Sequence, residues 1–373
     1  MNKIDITKMT SQDFIKELPQ SVQQLDAFRA GTDKTRPVDL SMGEYVEGRY
    51  GLSFDEYLEK LGINPKISTM QNIFTMPDQS IRWIVPEIIR NAVVTGVREA
   101  PFYPTIIASD QSINGLSAIM PFVNMSDATP SRVNEAETIP LGDVSFGEKS
   151  VRLFKIGKGF KLTDEVRNYV SLDVMAIFIR DFGVQLGYAL DSLAMDVLIN
   201  GNKQDGSESA PVLGVGNSQD GIQYRDLLKT WIRASRLGRN FKTLIGAEDT
   251  ALDILDLPEF KNRQAGTTQA TLNLKTPVPT AADFYIHPHV PANQVMLVDP
   301  RAALIKLTAK ALSLESERIV SNQTEAIYAT MTTGFSKMYL DAALLLDGSK
   351  DFGTHGFPEY MNIDPYIQAP LEQ

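Results

Sequence analysis

The sequence predicts an α+β chain. Its parts are a polar N-terminal arm, a long β-hairpin, one long helix, an α/β unit and a closing set of strands. Three patterns carry the prediction. Residues 145–163 alternate apolar and polar side chains as a strand does, and residues 171–199 repeat apolar side chains every three or four positions. Residues 221–311 switch between the two periods.

Length and composition set the outer bounds. The 373 residues exceed one small domain and suggest two or three units, or one unit with long arms. With 43% hydrophobic and 22% charged residues, the composition is that of a folded chain. Cys is absent, which excludes disulfides, a thiol nucleophile and Cys-ligated zinc or iron–sulfur sites. The three His residues (His287, His289, His355) leave little room for imidazole chemistry. Lys and Arg number 36 against 46 Asp and Glu, a net charge of −10, opposite in sign to a chain that grips nucleic acid. The polar start Met1–Thr7 lacks the apolar core of a signal peptide, and no continuous apolar run approaches the 18 residues of a membrane span. The expectation is an intracellular, soluble protein with no anchor.

Residues 1–70 read as an arm. Phe14, Leu18, Val22 and Leu25 mark a helix over 11–27. Ser53 followed by Glu56 and closed by Gly62 marks another over 53–61. Apolar residues here look too sparse for an independent core, so the arm is expected to lie on something else. Residues 71–116 continue the arm into the next domain, with a helix from Pro86 that Gly96 should stop.

Residues 117–163 read as the hairpin: a strand over 117–125, a polar tip over 126–143, and a second extended run over 145–163. The apolar phase slips by one at Leu153–Phe154, as a β-bulge would make it. Fifteen or more extended residues at about 3.3 Å each span roughly 50 Å, so this hairpin must rest on another molecule or stay mobile.

The helix over 171–199 has Ser171 as its cap and a face of Met175, Phe178, Phe182, Leu186, Leu190, Leu193 and Val197. At 1.5 Å per residue it is a rod of about 42 Å, ended by Asn200-Gly201-Asn202. In the α/β unit, a helix over 223–237 turns Leu227, Leu228, Trp231 and Ile232 inward. A strand over 243–246 and a helix over 249–257 follow, then strands over 284–287 and 294–298 around the turn His289-Val290-Pro291-Ala292. Residues 312–347 alternate again and read as returning strands. Residues 348–373, rich in Gly, Pro and Asp, read as an irregular tail.

Catalytic signals are weak. His287-Pro288-His289 places two imidazoles on one side of a strand, but no third ligand accompanies them. Gly214-Val215-Gly216 fails as a dinucleotide fingerprint and reads as a loop; phosphate-loop and Gly-x-Ser-x-Gly patterns are absent. The carboxylate pairs Asp164/Glu165 and Glu135/Glu137 read as surface acids rather than a hydrolase pair. No catalytic, cofactor-binding or metal residue is assigned. Arg152, Lys155, Lys158 and Lys161 form a basic cluster. Contact with acids of a neighbouring subunit ranks first for it, solvation second and nucleic acid third. The run Glu44, Glu47, Asp55, Glu56, Glu59 is the matching acidic partner, and Glu135 and Glu137 on the hairpin tip join the inter-subunit candidates.

The order of parts resembles the tailed-phage major capsid protein of the Hong-Kong-ninety-seven type, over most of the chain. The residues that carry the resemblance are Pro86-Glu87-Ile88-Ile89-Arg90, Glu137-Thr138-Ile139-Pro140 at the tip, and Lys158-Gly159-Phe160-Lys161-Leu162-Thr163-Asp164-Glu165 leading into the helix. Leu198-Ile199-Asn200-Gly201 and Gly334-Phe335 add to them. The resemblance implies a phage capsid fold: an N-terminal arm (1–70, continued over 71–116), an extended loop (117–163) lying over a neighbour, and a peripheral domain (164–220) with the long helix as its spine. It further implies an axial domain (221–311) around five-fold and six-fold axes, return strands (312–347) and a tail (348–373).

The implied function is self-assembly into pentamers and hexamers of an icosahedral shell. The shell would enclose double-stranded DNA without sequence-specific binding, with portal, scaffolding and decoration proteins as further partners and no membrane. The implied location is the virion capsid, assembled in the bacterial host cytoplasm. Some relatives join a Lys on the extended loop to an Asn of another subunit. Residues 126–143 contain no Lys and Lys149 is the nearest, so no such cross-link is expected. With the chain starting at Met1 and lacking a long charged helix in its first 70 residues, scaffolding is expected from a separate protein or not at all. The rival readings are an encapsulin-type nanocompartment shell and an intracellular carboxylate-dependent hydrolase.

Overall fold

A computed structural model describes residues 9–30, 40–99, 101–113, 115, 117–123, 144–202, 208–216, 222–236, 239–257 and 282–357. In chain order its elements are α1 (Ser11–Ala30), α2 (Met42–Tyr50), α3 (Phe54–Lys60), α4 (Met70–Thr75), α5 (Ile84–Glu99), β1 (Ile107–Ser112), β2 (Ser117–Val123), β3 (Val144–Arg152), β4 (Phe154–Thr163), α6 (Asp164–Tyr169) and α7 (Leu172–Asn200). They continue with β5 (Val212–Gly214), α8 (Tyr224–Arg236), β6 (Thr243–Gly246), α9 (Glu248–Asp256), β7 (Asp283–Ile286), β8 (Gln294–Val298), β9 (Leu304–Ile319), β10 (Thr324–Lys337), β11 (Ala343–Asp347) and β12 (Gly353–His355). The chain divides into two compact units. One holds residues 1–101, 154–191 and 308–333, and the other holds 102–153, 192–307 and 334–373.

The first unit is largely helical. Ser41 and Ser53 close reciprocal capping boxes with Glu44 and Glu56, which start α2 and α3. The region expected to be too poor in apolar residues for a core instead packs one. Phe14, Leu18 and Leu25 of α1 are buried with Tyr45, Val46 and Tyr50 of α2 and Tyr57 and Leu58 of α3. The reason is that tyrosines fill the core beside these few aliphatic residues. Phe14 lies edge-on to Tyr50 and Tyr57, with ring centroids 5.6 and 5.9 Å away, and the two tyrosines stack at 5.8 Å. The hydroxyls of Tyr50 and Tyr45 bond at the rim, Tyr50 to Glu17 and Tyr45 to Gln24, each at 2.8 Å, while that of Tyr57 is buried without a partner. Arg29 of α1 donates through both terminal nitrogens to Glu87 of α5, at 2.8 and 2.7 Å, and through Nε to the Leu40 carbonyl. This buried, bidentate pair fixes α1 on α5.

Gly96 does not stop α5, which runs on to Glu99. It is instead the place where α5 crosses α7. A Cβ on Gly96 would sit 2.1 Å from the Arg180 carbonyl oxygen, and one on Gly183 would sit 2.3 Å from that of Val93. The two backbones meet where neither carries a side chain. α7 begins at the predicted cap and ends where Gly201 turns left-handed, at φ 73°. By length and composition α7 would pass for a membrane span, although no uninterrupted apolar run of that length exists in it; it buries 61% of its most apolar window, as a core helix does.

The extended run over 145–163 is not one hairpin arm. It breaks at Leu153, where the apolar phase slips. Before the break, β3 pairs antiparallel with β2, with a register shift between Ile119 and Pro121. After it, β4 pairs antiparallel with β10, from Phe154 opposite Thr333 to Thr163 opposite Thr324. The hairpin proper is thus β2 and β3, a two-stranded sheet; β4 is an edge strand of a four-stranded sheet ordered β1-β9-β10-β4. The overhang inferred for the whole run therefore does not apply to its second half. The tip, 126–143, lies outside the described residues.

The second unit is built on a six-stranded sheet ordered β12-β5-β11-β8-β6-β7. Its central strands β8 and β11 are apolar runs buried on both faces, which is why they show no alternation. Leu227 and Trp231 of α8 and Ile254 of α9 join Leu244, Phe284, Val295, Leu297, Leu344 and Leu346 in one core. The predicted strands over 284–287 and 294–298 exist but do not pair with each other. β6 lies between them, parallel to β7 and antiparallel to β8. Ile232, expected inward, is 64% exposed. α8 instead turns Asp226 and Thr230 inward, where Asp226 accepts the Gln223 N–H and Thr230 bonds back to the Asp226 carbonyl. Gly214, read as part of a loop, ends β5. A Cβ there would lie 2.0 Å from the Asp351 carbonyl oxygen.

Candidate assembly surfaces

The basic cluster is split by the strand break. Arg152 ends β3 in the second unit, and the three lysines lie on β4 in the first. Alternation along β4 divides the lysines again. Lys158 shares the side of Phe160 and faces α7, where it bonds Gln185 and sits 5.9 Å over the Phe182 ring. Phe160 and Phe182 are 4.9 Å apart on the same side. Lys155 and Lys161 occupy the opposite side and are exposed. Between them Gly157 and Gly159 leave space that the Thr330 and Tyr328 side chains of β10 fill.

Of the acidic candidates, Glu44 is already engaged within the chain. Burial pushes its carboxyl up, but the Ser41 backbone N–H and the Arg98 guanidinium outweigh that and hold it below the usual carboxylate range. Glu47 is exposed on α2. Glu135 and Glu137 lie outside the described residues.

The structure also displays a surface that the helical period concealed. Phe178, expected on the buried face of α7, is 70% exposed, and Ile179 takes the inward position. Phe178 joins Val174 and Ile177 in an exposed apolar stripe on α7. Beside it, Phe54 and Leu58 of α3, Ile88 and Ala92 of α5, and Ala176 and Ile177 of α7 line a groove of about 200 Å³. Contiguous exposed apolar surface of this kind marks a contact site more often than scattered single residues do. Two adjacent apolar residues on a helix can each be the inward one; spacing alone could not choose between Phe178 and Ile179.

Among the described residues no group of three or more His, Asp or Glu side chains is placed to hold a metal ion. His287 is buried, and its Nδ1 accepts the His289 backbone N–H at 3.2 Å, so the pair organises a turn. Burial, and secondarily His289, lowers the His287 pKa below its ordinary value.

The family model for phage capsid proteins matches residues 147–346, more than half of the chain. No curated protein matches the sequence. Among solved structures, the capsid of a native GTA particle superposes with a TM-score of 0.50 at 11% identity, over 65% of this chain and 89% of that one. Microbacterium phage Oxtober96 gives 0.50 at 11% identity, over 67% and 91%. A virus-like particle from Pyrococcus furiosus gives 0.49 at 15% identity, over 69% and 97%. The first two establish a shared fold. The matched span takes in the end of the hairpin, the long helix and the six-stranded sheet as far as β11, and the chain belongs to the phage capsid protein family, a structural protein of the viral shell.

Proposed function

We propose that the chain is the subunit of an icosahedral shell of a tailed bacteriophage, assembling into pentamers and hexamers around double-stranded DNA. The observation that carries this reading is the hairpin. β2 and β3 form a two-stranded sheet with no third strand among the described residues. Such a ladder is marginal in water by itself and gains stability by lying on another surface. A neighbouring subunit supplies that surface, and a contact between unlike patches that closes on itself makes rings. The exposed stripe on α7 and the lysines of β4 are further places for such contacts, with Arg152, Glu47, Glu135 and Glu137 as candidates still to be matched to partners.

In this reading residues 221–311 gather at the shell's symmetry axes, the long helix is the spine of the peripheral domain, and the first 70 residues contact adjacent subunits. The chain catalyses no reaction. Its negative charge suits containing DNA rather than gripping it, and assembly takes place in the host cytoplasm with separate portal and scaffolding proteins. With no Lys at residues 126–143, subunits stay non-covalent, and mature shells run as single chains on denaturing gels. Electron microscopy of the purified protein tests the reading: closed shells are expected, and soluble monomers under all conditions would refute it.

A further inference from the structure

Beside the β9–β10 turn, Gln71 of α4, Asp164, Arg167 and Asn168 of α6, and Arg318 of β9 line an open pocket of about 360 Å³. Its donors outnumber its acceptors. Each guanidinium carries about five N–H groups. Arg318 gives a bond to Asp164 at 2.9 Å. Arg167 lies over Phe74, its guanidinium carbon 4.7 Å from the ring centroid, and the Glu325 carboxylate stands 3.9 Å away. The Arg167 Nε is buried without a partner. Gln71 and Asn168, both exposed, add amide donors. Only Asp164 lines the pocket with a carboxylate. The ligand that complements such a wall accepts hydrogen bonds and donates none, as a carboxylate or a phosphate does.

We propose that this pocket receives a carboxylate from the α2–α3 edge of a second copy of the chain. The proposal rests on the shell reading above. Asp164 in the wall and Glu325 behind Arg167 repel a polyanion such as DNA more than they repel one carboxylate. The α2–α3 edge offers Glu47, Asp55 and Glu59, all exposed and in no ion pair among the described residues. Pocket and edge are different patches, so their contact is heterologous, the kind that propagates around a ring. One exposed charge pair adds little affinity, but repeated at every subunit boundary it fixes register and excludes wrong pairings.

Phenylglyoxal modification of arginines, read by peptide mass spectrometry, tests the contact. It is applied to unassembled subunits, to empty particles and to DNA-filled particles. Arg318 should react in free subunits and be protected about tenfold in empty particles. Particles of the triple variant Glu47→Gln, Asp55→Asn, Glu59→Gln should lose that protection. Equal reactivity in subunits and empty particles overturns the proposal, as does protection that survives the triple variant. Protection seen only in DNA-filled particles assigns the pocket to phosphate and also overturns it.

If the triple variant assembles too poorly to label, a charge exchange replaces it. Arg318→Glu alone, and Glu47→Lys with Asp55→Lys and Glu59→Lys alone, should each lower the yield of closed particles, and all four changes in one chain should restore it. No restoration refutes the contact. Microscopy before labelling separates the two ideas: a wild-type chain that forms no particles defeats the shell reading and the proposal together, whereas particles without protection defeat the proposal alone.

Discussion

Both compact units bury aliphatic residues and a bidentate arginine–carboxylate pair, Arg29–Glu87 in the first and Arg239–Asp341 in the second, and they differ in what else they pack. The second unit has an aliphatic core: Leu244, Val295, Leu297, Leu344 and Leu346 pack under Leu227, Trp231 and Ile254. The first also buries aliphatic residues, Leu18, Ile73, Ile84 and Val93 among them, and adds the stacked Tyr50 and Tyr57, the buried Arg29–Glu87 pair and a helix crossing made of two glycines. An aliphatic core depends on area and volume, so it tolerates small errors of position. A core of hydroxyls, charges and close backbones depends on each partner being present. The first unit should therefore fail sharply at single residues and respond to pH, and the second should lose stability in proportion to what is removed.

The sharpest break is expected at the helix crossing. Gly96→Val places a side chain where the Arg180 carbonyl stands 2.1 Å from the Cβ position, and should cost at least ~4 kcal/mol, read as loss of hydrogen-exchange protection across α5 and α7. Near-normal protection would show that the helices can separate and that the crossing is not required.

Next comes the buried pair. Glu87→Ala leaves the buried Arg29 guanidinium with only the exposed Asp26 as an ionic partner and should cost about 3 kcal/mol, with exchange rising first in α1. Changing both residues to well-packed apolar ones should recover much of that loss; additive losses would contradict the reading.

In the second unit, Leu297→Ala should cost about 2–5 kcal/mol, spread over the six-stranded sheet. A loss confined to β8 would mean the sheet does not share one core.

The smallest effect is alkaline. Burial pushes the Tyr50 phenol up to about 12, so the fold favours its neutral form. That contribution is complete below pH 10 and is lost as the pH rises through about 12. Denaturant melts should show the first unit weakening in that window by about 1–2 kcal/mol, and Tyr50→Phe should reduce the dependence. An unchanged dependence would move the cause to other groups.

The same contrast explains what could be read from the sequence. The strand over 294–298 and the helices over 171–199 and 223–237 were legible because aliphatic residues follow the period of the backbone. The first unit was legible as separate helices, through its Ser–Glu capping boxes, but not as a core, since Tyr45, Tyr50 and Tyr57 do not register as core residues in an apolar count. The slip at Leu153–Phe154 marked the right place, yet a phase slip does not say whether a strand bulges or changes partner. Here it changes partner, because β10 is the partner waiting for β4. The Arg167–Arg318 pocket joins residues 151 positions apart and leaves no local pattern at all.

The hairpin offers the most direct test of the shell account, because on this reading its part beyond the buried Val151 contributes to assembly and not to either core. Ala118 and Val151 lie opposite each other in register, so a short turn can join them in place of residues 119–150 and leave the buried Val151 in the chain. Sedimentation velocity, run beside the full chain, decides the matter. The full chain should form fast-sedimenting closed particles, while the shortened chain keeps its hydrogen-exchange protection in both units and sediments only as small species. Particles of normal size and yield from the shortened chain, or a single slow boundary from the full chain at every concentration, would contradict the account.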